Sequence, residues 1–185
     1  MAAKKKFFLS SDKIFGLTAM LISLVTLIIF VRQTNIMDDQ SRRSVMPYVN
    51  IELSDKGTEH QLLLDLVNHG VGPAIIDGIN IAYKGKRYDM DFYDFFMKAI
   101  PRADTLEFLN HSNIYKGLAI PASGRINVLT VGATDAEYQI FKNKFEQIQN
   151  DRSFDFEIKY KSIYDDYWTI NPKMGTPIPW KKLRV

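Results

Sequence analysis

The run Ile14 to Val31, IFGLTAMLISLVTLIIFV, contains no charged side chain and no polar stripe. A core helix of a soluble protein carries such a stripe on its solvent face, whereas an apolar helix of about 20 residues crosses the hydrocarbon core of a bilayer. Thr18, Ser23 and Thr26 are compatible with lipid, because a small hydroxyl bonds back to its own helix. The chain is therefore expected to cross a membrane once, with 14–31 in the bilayer and everything after Arg32 on one side. The rival reading is a cleaved signal peptide, whose apolar region is about 7–15 residues and ends at a small-x-small site. Here the run is longer, and Phe30-Val31-Arg32 and then Gln33 to Asp39 offer no Ala-x-Ala.

Flanking charge sets the expected orientation. Lys4, Lys5, Lys6 and Lys13 precede the run, and Arg32, Arg42 and Arg43 follow it more sparsely. The positive-inside rule then puts residues 1–13 in the cytoplasm as a short N-terminus. The C-terminal domain would lie periplasmic or extracellular, anchored in the inner (plasma) membrane. The chain has no cysteine, which excludes a disulfide framework and a thiolate metal site. Its net charge of +3 is small and the basic residues are scattered, so no nucleic-acid surface is expected.

Residues 32–45 are polar with no Gly or Pro, suited either to a helical stalk or to a loose linker. Met46-Pro47 ends that segment, since a residue before proline is pushed out of the helical region. Strand patterns then begin. Tyr48 to Leu53 alternates, with Val49, Ile51 and Leu53 on one face; Asp55-Lys56-Gly57 is a turn; Leu62, Leu64 and Leu66 share a face of Gln61 to Val67. Ile75 to Tyr83 places Ile75, Ile79 and Ile81 in phase, with Gly78 as a bulge. Lys84-Gly85 turns the chain into Arg87 to Met90.

Asp91 to Ile100 switches to a helical period, with Phe92, Phe95, Phe96, Ala99 and Ile100 as its apolar stripe and Pro101 as its stop. Extended segments follow at Thr105 to Leu109, Ile114 to Ile120 and, after the Pro121 to Gly124 turn, Arg125 to Val131. Thr134-x-x-Glu137 is a capping box that starts a helix to about Gln149, with Tyr138, Phe141, Phe145 and Ile148 inward. Phe154 to Tyr160 and Tyr167 to Ile170 form a closing hairpin. The predicted fold class is mainly β with two short helices: an immunoglobulin-like or related β-sandwich over 46–171 after the transmembrane helix. The alternative is an α+β open sheet with both helices on one face. The tail 172–185 reads as irregular.

The most distinctive motif is Asn68-His69-Gly70-Val71-Gly72-Pro73-Ala74. Spaced glycines allow a tight backbone path, and Asn68 suits bonding to a turn backbone. A phosphate-cradling loop also uses spaced glycines, but it needs a following helix and a lysine. Here Ile75-Ile76 continues as a strand, so Asn68, Gly70, Gly72 and Pro73 are expected to be a structural turn. This motif, with Met46-Pro47-Tyr48-Val49 before it and Ile158 to Tyr164 and Tyr167-Trp168-Thr169 near the end, resembles a loose group of uncharacterised bacterial membrane-anchored proteins. That resemblance implies a bacterial source and a sandwich-like domain, and nothing catalytic.

Asp89, Asp91, Asp94, Asp165 and Asp166 are the acids to weigh for acid–base or metal chemistry. Asp91 equally suits a helix cap, Asp94 a first helical turn, and Asp165-Asp166 a turn. His60, His69 and His111 stand far apart in sequence, never at i, i+4, so no metal and no cofactor are expected. No Gly-x-Ser-x-Gly elbow is present. Tyr93 and Met97, about 100° round the Phe92 helix from its stripe, and Trp180 in the tail are the candidate partner contacts. The reading is a single-pass, membrane-anchored binding or scaffold module, with a protein partner or self-association. A membrane-tethered hydrolase using the Asp89 to Asp94 acids or His69, and the same domain on the cytoplasmic side as sensor or effector, are the alternatives.

Overall fold

The hydroxyls in the apolar N-terminal run all bond back one turn along the chain. Thr18 donates to the Ile14 carbonyl at 2.9 Å, Ser23 to Ala19 at 2.9 Å and Thr26 to Ile22 at 2.8 Å. The computed structural model describes residues 10–99, 108–132, 134–173 and 175–180. Within them Ser11–Ser44 is one helix of 34 residues (α1), none of it buried, long and apolar enough to cross a membrane. At about 1.5 Å per residue such a helix is about 50 Å long, well beyond a hydrocarbon core of about 30 Å. The polar stalk therefore continues the same helix. There Arg42 pairs with Asp38 at 3.0 Å and Arg43 with Asp39 at 3.8 Å, each one turn apart.

The residues from Ser44 onward form a separate compact unit. It is rich in β-structure: β1 (Val49–Lys56), β2 (Gln61–Asn68), β3 (Ala74–Tyr83), β4 (Lys86–Tyr88), β5 (Phe108–His111), β6 (Ala119–Ile120), β7 (Arg125–Val131), β8 (Asp155–Lys161), β9 (Tyr167–Ile170) and β10 (Ile178–Trp180), with helices α2 (Phe92–Ala99) and α3 (Asp135–Asn150). One sheet runs β1-β2-β7-β5; the other runs β10-β9-β8-β3-β4, with β6 also on β3. All pairings are antiparallel. Both sheets and both helices feed one apolar core, which includes Leu66 of β2, Ile81 of β3, Phe95 of α2, Phe141 of α3 and Ile158 of β8. The sheets are also joined by a hydrogen bond: the Val49 N–H donates to the Tyr160 hydroxyl at 3.3 Å. Burial pushes that phenol up to about 12, so it stays neutral.

Two expectations are corrected. In β3 the buried residues are Ala74, Ile76, Ile79 and Ile81, and Ile75 faces the other way. The register with β8 slips between Ile76 and Gly78, and one extra residue at a bulge reverses the parity of side chains across it. The tail is not irregular throughout, because β10 pairs with β9. Trp180 packs edge-on against Tyr167, with centroids 5.5 Å apart, and the Lys159 ammonium lies 4.7 Å from its ring. Pro179 is tolerated there because β10 is a sheet edge. Residues 1–9, Ile100, Pro101, the extended stretch over 105–107 and the basic end Lys181, Lys182 and Arg184 lie outside the described residues.

Helix α3 begins as its capping residues require. Thr134 accepts from the Glu137 N–H at 3.3 Å and donates to Glu137 Oε2 at 3.0 Å. Its inner face is Tyr138, Phe141, Phe145 and Ile148. One edge is tied to β1: the Tyr138 hydroxyl donates to Asp55 Oδ1 at 2.5 Å, and Lys142 Nζ to Asp55 Oδ2 at 2.6 Å. These donors, Lys142 first, hold the Asp55 carboxyl below its ordinary value. A depressed carboxylate contributes stability above its unfolded pKa and loses it as pH falls through the folded one. Asp55→Asn is therefore expected to lower the melting temperature at pH 7. The gap to the natural chain should close as pH falls below about 4, the ordinary aspartate value. Circular dichroism melts of the full chain in detergent, run across that range, check this.

Candidate functional site

The Asn68 loop is built around a side chain that is 0% exposed. Asn68 Oδ1 accepts from the N–H of Tyr48 and of Gly70, each at 3.0 Å. Its Nδ2 donates to the carbonyls of Gly72 at 2.8 Å, Ile120 at 3.2 Å and Pro121 at 3.0 Å. One amide thus ties the chain entering the domain, its own loop and the turn before β7. Neither Gly70 nor Gly72 has positive φ. They are needed for close approach instead: a Cβ on Gly70 would overlap the Met46 carbonyl and the Tyr48 nitrogen, and one on Gly72 the Val45 carbonyl. Pro73 then leads into β3. No helix follows, and every polar atom of the Asn68 amide is engaged within the chain.

A cavity of about 290 Å³ lies between the sheets and the helices. Its floor is buried and apolar: Leu64 of β2, Phe92 and Phe96 of α2, Phe145 of α3 and Ile170 of β9. Phe154, just before β8, and Phe156 of β8 also line it. Its mouth is marked by exposed Leu53 of β1, Gln149 of α3 and Pro172 and Gly175 after β9, with Asn50, Ile51 and Asn171 alongside. No charged side chain lines it among the described residues. An engineered apolar cavity of about 150 Å³ accommodates a benzene ring, so this one has room for one large apolar side chain or a group of like size. A largely apolar hollow with a few neutral polar groups at its rim is the ordinary form of a binding site.

The acids and histidines weighed from the sequence do not converge on the cavity. Asp91 caps α2 by accepting from the Asp94 N–H at 2.9 Å. Asp165 sits in a left-handed turn and pairs with Lys161 at 2.6 Å. His60 pairs with Asp135 at 3.0 Å, His69 with Glu52 at 2.8 Å, and His111 stacks on Tyr93 with centroids 3.9 Å apart. No group of three metal-ligating side chains occurs among the described residues. Tyr93 and Met97 are half-buried, Met97 against the core, and Trp180 is half-buried beside Tyr167 and Lys159.

A polar network across β1, β2 and β7 was not foreseen from the sequence. Arg125 joins Asp65, which is 3% exposed, at 2.6 Å and Glu52 at 2.8 Å. Glu52 reaches His69, and Asn127 donates to the other Asp65 oxygen at 2.8 Å. The hydrogen bond it donates to Asp65 holds the Arg125 guanidinium above its ordinary pKa. All four carboxylate oxygens are used, so the network braces three strands and offers no free base. Its one sequence signal is a charged residue amid the leucines of β2; the partners come together only when β2 pairs with β7.

The fold and cavity define a class: a β-rich domain with an apolar hollow, following a helix fit to cross a membrane. A family model described as a domain of unknown function, DUF8453, matches residues 14–174, the helix and nearly all of the domain. The chain belongs to that family. No curated protein matches it.

Proposed function

We propose that this chain is a membrane-anchored binding module that holds its β-rich domain outside the cytoplasm and captures a protein partner at the cavity beside β1. The cavity carries the reading: it is the place where the fold presents apolar surface in a concave, uncharged form. The exposed apolar face of α1 supports the anchor, and the lysines before it support an N-terminus in the cytoplasm of a bacterial inner membrane. The single core shared by both sheets supports an immunoglobulin-like sandwich. Tyr93, Met97 and Trp180, each half-buried, are further positions for partner contact.

Anchoring and orientation are tested together. The full-length protein should remain in the membrane fraction through a carbonate wash. A C-terminal phosphatase fusion, which works only after export, should be active, and a C-terminal fluorescent fusion that fails after export should be dark. Release by carbonate, or the opposite pattern of reporters, overturns this assignment.

A further inference from the structure

We infer that β1 is an acceptor edge for an extended peptide segment of the partner, which adds to the sheet as one more strand and seats an apolar side chain in the cavity. The inference rests on the cavity being the binding site and names what enters it.

Among the described residues β1 lies at the end of its sheet, with β2 on one side only. The direction of its backbone groups follows from two bonds. The His69 N–H donates to the Tyr48 carbonyl at 2.7 Å, which makes Tyr48 and His69 a hydrogen-bonded pair. Such pairs alternate along an antiparallel ladder, and the β1–β2 register is unbroken from Val49↔Asn68 to Lys56↔Gln61. Val49, Ile51, Leu53 and Asp55 therefore direct their N–H and C=O groups away from β2. Val49 shows it, because its N–H reaches the Tyr160 hydroxyl on the other sheet. The N–H groups of Ile51 and Leu53 have no partner among the described residues. The side chains of these two residues line the cavity, and Leu53 is 42% exposed.

Among the described residues the other edges are protected and β1 is not. β5 has four residues and a break in register between Phe108 and Asn110. β4 has three residues, β6 has two, and β10 has three with Pro179 in the middle. Short length, bulges and proline are the devices by which natural sheets block further pairing. β1 has eight residues, with no Pro or Gly and with a lysine only at its last position. Main-chain bonds to a free edge, with pockets for alternate side chains, are how a folded domain reads an extended peptide. The side-chain amide of Gln149 at the mouth makes no hydrogen bond among the described residues, leaving it available to the peptide backbone.

The test uses the full chain in lipid nanodiscs, panned with a displayed library of random linear nonapeptides and counter-selected on empty discs. Enriched peptides should alternate apolar and polar residues. Leu53→Pro removes an outward N–H without breaking a bond to β2, and proline is tolerated at such an edge. Gly175→Trp places bulk at the mouth, where a Cβ meets nothing within 4 Å. Each variant should keep its melting temperature and bind an enriched peptide at least tenfold more weakly. N-methylation of alternate peptide amides should abolish binding in one phase and spare it in the other, a readout that depends on no variant. The inference is overturned by a lack of enrichment over empty discs, by peptides that bind Leu53→Pro as they bind the natural chain, or by N-methylation without phase. It is also overturned if the chain forms a dimer that Leu53→Pro dissolves, since the edge would then serve a second copy. The fusion results do not bear on these outcomes, so failure of the topology and failure of the edge are separable.

Discussion

Asn68→Ala is expected to bring the domain to the edge of unfolding. The substitution strips a partner from the N–H groups of Tyr48 and Gly70 and from the carbonyls of Gly72, Ile120 and Pro121. A buried polar group left unpaired costs about 1–3 kcal/mol. With some of these groups regaining water at the loop surface, a total of roughly 3–5 kcal/mol follows, against a whole-domain stability of about 5–15 kcal/mol. Relaxation cannot easily restore the pairs, because Gly70 and Gly72 already lie against the backbone of Val45 to Tyr48. Asn68→Asp separates the parts. It keeps the oxygen that accepts from Tyr48 and Gly70, loses the three donations and buries a charge, so it should also be strongly destabilised. Urea midpoints of the full chain in detergent measure both. An unchanged midpoint in Asn68→Ala would show that the loop does not hold the domain's entry.

Phe95→Ala is expected to cost about 3–5 kcal/mol, the range for truncating a buried phenylalanine. Phe95 is 0% exposed and packs on Tyr83 at 5.9 Å, Tyr88 at 5.4 Å, Phe96 at 5.4 Å and Phe154 at 5.9 Å between centroids. Its ring joins α2 to β3, β4 and the segment just before β8, so no single element can shift to fill the hole. Phe95 is the better probe than Phe96, because Phe96 lines the cavity and its loss enlarges a space that already exists. Tyr93→Ser is the matched contrast on the same helix. It removes a half-buried ring stacked on exposed His111 and should cost about 1 kcal/mol. Equal losses in the two variants would place Tyr93 in the core and remove it from the partner-contact set.

Local physics explains what was readable in advance. α2 and α3 each bury a face repeating every three or four residues, and Phe92, Phe95, Phe96, Tyr138, Phe141, Phe145 and Ile148 fall on it as their spacing requires. β7 has the bounds its alternation and preceding turn imply. Where a local pattern misled, a non-local fact intervened. The parity of β3 turns on a bulge set by its pairing with β8, and β10 pairs with β9 where Trp180 also meets Tyr167 and Lys159. Asn68 was legible as a turn residue, but its bonds to Ile120 and Pro121 reach across more than fifty positions.

By itself the sequence determined a helix long and apolar enough to cross a membrane, the presence of β-strands and two domain helices, and the inward faces of those helices. Each is a property of one contiguous stretch: its hydrophobic period, its capping residues or its unbroken apolar length. Only the tertiary structure decided that strands far apart pair into two sheets, that Arg125 meets Asp65, and that β1 ends its sheet among the described residues. It alone decided that residues of β1, β2, α2, α3, β8 and β9 enclose one cavity. Those outcomes depend on which elements become neighbours, and that choice is made by burial of the whole apolar set at once rather than by any pattern within a single element.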